Sequence, residues 1–360
     1  MRRYIAPAVL ACLATAFALL SAGCGNAAPA GAATWLPPSC ATGLPDDGTP
    51  EPLPADRPVG RAALLYQLGH EAPIWLVTST GERYAMPPLP PRPADSPAPD
   101  ASRLPEPLPP EPPSRESVRD IRLSPDGRWL ARAVHRNVEL RDLTGTRVEQ
   151  LPSSHHLHWS PDGRWLVLQR EHGGDRLELL RYDLREGRVE ERVQPVPNLT
   201  WHLLGVRDDG AVVLRGSREL VDGGGERNPS GVDESWLVLD RTGRELGRGT
   251  LPLRHRIGLP AGDTLIATRH AERGTDAVAT VAYGLADGGP RWTVTHPPHR
   301  LGLLYGVAGN LGGVPVIMQS FERGSPDRAD TVELYTVDPA TGGTALACRI
   351  PARSHVVLPR

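Results

Sequence analysis

The sequence predicts an all-β fold assembled from repeated four-stranded units. Three observations predict it. A hairpin motif occurs twice, as Leu123-Ser-Pro-Asp-Gly-Arg-Trp-Leu130 and Trp159-Ser-Pro-Asp-Gly-Arg-Trp-Leu166, 36 residues apart. Self-similarity at such a period marks a repeat architecture. Two glycine-bearing turn markers then alternate strictly through six units, and the runs between them are short and β-rich, as in Trp165-Leu-Val-Leu168.

Residues 1–23 stand outside the fold. Arg2 and Arg3 form a positive start, Ile5 to Leu20 an apolar stretch, and Ser21, Ala22 and Gly23 a small-residue end. That is the layout of an export signal. The stretch is shorter than the roughly 20 residues of a spanning helix, and Pro7 interrupts it. Leu20-Ser21-Ala22-Gly23-Cys24 resembles a bacterial lipobox, with Ser21 where an aliphatic residue is usual. The resemblance implies lipidation at Cys24 and attachment of the chain to the outer face of the cell membrane; plain secretion is the alternative. Residues 24–58 read as a Pro-rich tether.

The repeats follow, over residues 59–352. In the first marker Pro and Asp set a tight turn and Gly supplies positive φ. After the two sharp copies come weaker ones, which give the turn glycines Gly60, Gly127, Gly163, Gly210, Gly262 and Gly309. The second marker is a hairpin turn ending in Gly: Gly81, Gly145, Gly187, Gly243, Gly288 and Gly342. Two hairpins per unit make four strands, which is the blade of a β-propeller. Six blades need roughly 240–270 residues, and the 337 residues from Cys24 to Arg360 hold them with room for inserts. Residues 86–114 are the largest insert, with runs such as Pro87-Pro-Leu-Pro-Pro91 that favour extended polyproline. Asp222 to Glu234 reads as a polar loop in blade four, and 353–360 as a C-terminal tail.

The Ser-Pro-Asp-Gly-Arg-Trp-Leu copies resemble the repeat of TolB-type, WD40-like propellers of the bacterial envelope. The resemblance implies six blades, or seven, and fixes no activity, because propellers host many functions.

Four cysteines are present. Cys12 lies in the signal and Cys24 is the lipid candidate, which leaves Cys40 and Cys348. Outside the cell an even pair reads as one disulfide; two unpaired buried thiols are the alternative. In a propeller Cys348 falls on the outer strand of blade six and Cys40 before blade one, so a bond between them would tie the ring's ends together.

Composition excludes several chemistries. All 40 basic residues are Arg, so a P-loop lysine, a Schiff-base lysine and a Ser-Lys dyad are ruled out. This Lys-free, Ala-, Gly- and Pro-rich usage fits a high-GC, actinobacterial genome. The net charge of −2 gives no basic field for nucleic acid. There is no Gly-x-Ser-x-Gly elbow, and His70-Glu71 lacks a second His at metalloprotease spacing. Gly306, Gly309 and Gly312 imitate a phosphate loop only loosely. Asp222, Glu226, Asn228, Asp233 and Glu234 carry oxygen ligands without calcium-loop spacing.

One cluster remains. His155 and His202 stand eight residues before their turn glycines, Arg119 and Arg254 share that offset, and His156, His158 and His255 lie beside them. On the first strands of a propeller, equivalent positions converge on the central channel. Such a cluster can bind an anion or acidic peptide in a pH-dependent way, or a metal through imidazole nitrogen; the plainer reading is solvated side chains at strand starts. The sequence therefore points to a non-catalytic envelope platform for a protein, peptide or ligand, with no cofactor and no catalytic residue singled out. The alternatives are a propeller hydrolase or lyase using His155 or His202 as base, and a metal or anion sensor.

Overall fold

A computed structural model describes residues 48–68, 72–88, 121–134, 137–152, 156–170, 176–195, 201–221, 227–271, 277–296, 303–311, 314–321, 331–338, 340–351 and 355–358, together with 36, 37, 40 and 44. Cys24, Arg119, His155 and most of the 86–114 insert lie outside these residues.

Five consecutive four-stranded antiparallel sheets follow one another in sequence. Blade two is β5 (Ile121–Leu123), β6 (Trp129–Val134), β7 (Asn137–Asp142) and β8 (Val148–Pro152). Blade three is β9 (His156–Trp159), β10 (Trp165–Arg170), β11 (Arg176–Asp183) and β12 (Arg188–Pro195). Blade four is β13 (Trp201–Val206), β14 (Val212–Val221), β15 (Arg227–Leu239) and β16 (Glu245–Thr250). Blade five is β17 (His255–Ala261), β18 (Thr264–His270), β19 (Ala277–Gly284) and β20 (Pro290–Thr295). Blade six is β21 (Leu303–Leu311), β22 (Val314–Phe321), β23 (Thr331–Val337) and β24 (Thr344–Pro351).

Blade one is built differently. Its sheet order is β1-β4-β3-β2-β25, from β1 (Glu51–Pro52), β2 (Ala62–Gln67), β3 (Ile74–Thr78), β4 (Arg83–Ala85) and β25 (His355–Val357). Residues 353–360, expected as a tail, thus include the innermost strand of blade one, paired through Leu65↔Val357 and Gln67↔His355. The reason is local: Pro52, Pro54 and Pro58 precede Gly60, and proline cannot donate to a ladder. The expected tether is partly fastened too. β1 runs parallel to β4, the Leu44 N–H donates to Arg349 O at 3.0 Å, and Cys40 is bonded to Cys348 on β24.

The sharp repeat explains its own residues. In blade two the Trp129 N–H donates to Ser124 Oγ at 2.8 Å, the Ser124 hydroxyl to Asp126 Oδ1 at 2.7 Å, and the Arg128 N–H to the same oxygen at 3.0 Å. The Arg128 guanidinium reaches across to Asp142 at 2.7 Å, locking one hairpin to the other. Ser160, Asp162, Arg164, Trp165 and Asp183 repeat the circuit. Gly127 has φ +67°, and a Cβ there would lie 2.0 Å from Ala62 O, so only glycine lets blades one and two close.

Six apolar cores, one at each junction between neighbouring blades, hold the ring. Trp129 and Trp159 pack between blades two and three, and Trp165 between three and four. The sixth core joins Val316, Leu334 and Ile350 of blade six to Leu64, Tyr66 and Val77 of blade one, with Cys40 and Cys348 inside it.

Two local expectations change. Gly309 lies within β21, paired with Val316 beyond a register shift between Val307 and Gly309, so it is not a turn glycine. Asp222 to Glu234 is no simple loop: residues 227–234 extend the β14–β15 hairpin, with Ser217↔Glu234 and Val221↔Arg227 in register.

Candidate functional site

The innermost strands are β25, β5, β9, β13, β17 and β21, each beside the next around the axis. Their residues include Arg122, His156, His158, His202, His255, Arg256 and His355, and no Asp or Glu. Side chains alternate along each strand. Ile121, Leu123, Leu157, Trp159, Trp201, Leu203, Ile257 and Leu259 are buried between blades. Of the other set, His156, His202 and Arg256 are exposed towards the channel and Arg122 and His158 are half-buried, whereas Leu204 packs against the core between blades four and five.

His156 and His202 meet edge to face across the junction of blades three and four, ring centroids 5.4 Å apart. The expected partner of His202 by offset, His155, lies outside the described residues. The offset slips because β13 carries a bulge between Leu203 and Gly205, while the β9–β10 register runs unbroken from Trp159 to His156. One extra residue in β13 sets His202 level with the residue after His155.

Blade five moves further. β17 carries the corresponding bulge between Ile257 and Leu259, but its hairpin closes tightly at Ala261↔Thr264, so Gly262 comes early. Arg256, opposite Thr268, stands where His202 stands opposite Arg215. Arg254 instead occupies the turn ahead of β17 with φ +70°. His255 turns to that same loop: Nδ1 lies 3.2 Å from the carbonyls of Pro252 and Leu253, and the ring packs edge-on to Tyr283. Of the sequence candidates, His156, His158 and His202 therefore line the channel, Arg254 and His255 do not, and Arg122 and Arg256 join from outside the expected set.

Two buried polar side chains hold these strands in place. Gln169 of β10, opposite His156, donates from Nε2 to Trp201 O at 3.2 Å and accepts the Leu203 N–H at Oε1. It grips the backbone on both sides of His202. Glu234, only 2% exposed, accepts the Ile257 N–H and pairs with Arg215; its backbone carbonyl takes the Leu251 N–H at 2.8 Å. It anchors β17 one residue beyond Arg256, which is a structural duty and not calcium ligation. The sequence signal for Gln169 is a lone polar residue closing the apolar run Trp165-Leu-Val-Leu168.

The other end of the channel differs. There the turns leaving the inner strands present Asp126, Asp162, Asp208, Asp209 and Asp263, interleaved with Arg61, which pairs with Asp126, and Arg207, which pairs with Asp209 and Asp263. The Asp162 N–H donates to Asp208 Oδ1 at 2.7 Å. Burial raises the Asp208 carboxyl above its usual range against that hydrogen bond, and the charges of Asp162 and Asp209 add to the rise. Among the described residues no group of three His, Cys, Asp or Glu is arranged to hold a metal ion.

No protein-family model matches the chain, and no curated protein matches it. Among solved structures it is similar to an oligogalacturonate lyase in complex with manganese (20% identity, 64% of this chain and 65% of that one, TM-score 0.42). It is also similar to TolB from Acinetobacter baumannii (13%, 83% and 66%, TM-score 0.42) and a putative TolB from Agrobacterium tumefaciens (13%, 83% and 98%, TM-score 0.44). In the first two the match spans just under two thirds of the known protein's own length. The chain is a six-bladed β-propeller whose neighbours of known structure include TolB-like proteins.

Proposed function

We propose that this propeller is a non-catalytic binding platform on the outer face of the cell membrane, held by a lipid on Cys24 and docking an envelope protein or peptide. The observation that carries the reading is the path of the N-terminal segment. Cys40, Leu44 and β1 all attach to outer strands, at β24 and β4. The chain thus joins the ring at its outer rim, well away from the channel-facing side chains of blades two to five. Cys24 and Cys40 are sixteen positions apart, a reach of at most about 55 Å when extended, so the ring can stand clear of a bilayer surface. Acyl chains contribute roughly 0.8 kcal/mol per buried CH₂, enough for several chains to hold it there.

The test is to express wild-type and Cys24→Ser chains in a bacterial host with labelled palmitate, fractionate the cells, and crosslink the envelope. The wild type carries label, sediments with membrane and captures a specific envelope protein. The Cys24→Ser chain loses label and moves to the soluble extracytoplasmic fraction. Unlabelled wild type, or a Cys24→Ser chain still in the membrane fraction, overturns the anchor; recovery of no specific partner overturns the platform.

A further inference from the structure

We propose that the channel mouth where β9, β13 and β17 begin binds a carboxylate-rich segment of the partner protein. The proposal rests on the platform reading above and names the chemistry by which that platform recognises its partner.

Four consecutive inner strands each present a basic side chain to the channel: Arg122 on β5, His156 and His158 on β9, His202 on β13 and Arg256 on β17. Within their described residues the inner strands carry no carboxylate. Neither His202 nor Arg256 has an ion-pair partner among the described residues. Near this mouth the buried Glu234 carboxylate is taken up by Arg215 and the Ile257 N–H, and a group of carboxylates stands at the other end, on the turns that leave the inner strands, where Asp208 abuts Asp162 and Asp209. Charge is therefore separated along the axis. A chain segment bearing carboxylates is attracted at one mouth and repelled at the other, which sets both the end it enters and how deep it goes.

The distribution of charge selects the ligand. The basic groups are spaced one strand apart over four blades instead of converging on one point. That suits a row of carboxylates and not a single phosphate. Arg256 offers a planar fork for a bidentate carboxylate. On the remaining arc Ala308 of β21 and Val356 of β25 are half-buried and pack against the core between blades six and one. The site is also rigid: Gln169 and Glu234 fix the strands that carry His202 and Arg256, and a preorganised site loses little on binding.

The experiment uses the full chain in detergent micelles and a fluorescein-labelled oligoglutamate, with oligoglutamine and inorganic phosphate as comparison probes, read by fluorescence anisotropy. Oligoglutamate binds at low salt and is released at about 1 M salt, where the Debye length falls to about 3 Å; oligoglutamine does not bind. His202→Glu and Arg256→Glu each raise the Kd by about tenfold or more, His202→Gln and Arg256→Gln by less, and Arg248→Glu on the outer strand β16 changes nothing. Each variant is first shown to melt as the wild type does; the Gln variants carry the test if a Glu variant misfolds. Failure of oligoglutamate to bind overturns the proposal, as does equal weakening by Arg248→Glu, or phosphate alone binding at the mouth. An envelope partner whose capture survives Arg256→Glu overturns the proposal and leaves the platform standing. Oligoglutamate binding in a chain that captures no partner supports the mouth chemistry and removes the platform.

Discussion

His296 follows β20 and is 7% exposed, its Nε2 3.0 Å from Thr280 Oγ1. Burial holds its pKa down to about 4, from an ordinary 6.5. The folded state binds a proton less readily than the unfolded chain, so its contribution to stability is complete above pH 6.5 and is lost as pH falls from 6.5 towards 4. The loss is at most about 3 kcal/mol. Urea denaturation across that window should show the midpoint falling, and His296→Phe should flatten the fall; an unchanged slope in that variant would assign it elsewhere. Asp142 and Asp183 act in a lower window. Burial opposes their ionisation, but Arg128 and Arg164 with turn N–H groups overcome it and lower both carboxyls, so their stabilisation disappears only as pH drops below about 3.8. The Ser-Pro-Asp-Gly-Arg-Trp residues were legible in the sequence because each has one local job: cap, turn, or reach to the next hairpin. His296 was not, since nothing in Val294-Thr-His296 signals burial.

Strands and hairpins follow the same division. Ten of the twelve glycine markers fall at hairpin turns; Gly309 lies inside β21 and Gly60 precedes β2, whose inner neighbour is β25. Positive φ is present at Gly60, Gly127, Gly163, Gly210 and Gly262. The bulges in β13, β17 and β21 left no mark in the sequence. A bulge inserts one residue without changing residue type, so counting back from a glycine placed His155 and Arg254 where the structure has His156 and Arg256. Gln169 shows what holds a bulged strand. Gln169→Leu keeps the volume but removes the acceptor of the Leu203 N–H and a donor to the Trp201 carbonyl, and a buried polar group that loses its partner costs about 1–3 kcal/mol. Chemical denaturation should show a loss of about 2–3 kcal/mol, and oligoglutamate affinity should fall as His202 loses its fixed place. A loss below about 0.5 kcal/mol would mean that β13 is held by packing alone.

The whole ring is closed twice at one seam, by β25 on the inner edge and Cys40–Cys348 on the outer. The disulfide was legible because an even cysteine count and a circular fold both ask for it; the strand was not, because His355-Val-Val357 is short and follows the last marker. The bond spans 308 residues. In the chain-entropy description so long a loop contributes at most about 5–6 kcal/mol. Calorimetry with a strong reductant should lower the melting temperature, and more so in a chain ending at Pro351, which lacks β25. Melting unchanged by the reductant in both chains would mean that the blade-six and blade-one core closes the ring by itself.

The seam has a mechanical consequence. In a ring of six, the junction of blades six and one lies half a turn from the junction of blades three and four, where His156 meets His202. A pull on the N-terminal segment enters at Cys348 and is borne by a covalent bond on β24. It loads the pairing of β24 with β23 and the seam core first, and reaches the His pair only through the intervening blades. Tension on the N-terminal segment and the His156–His202 pair thus fall on opposite sides of the same wheel.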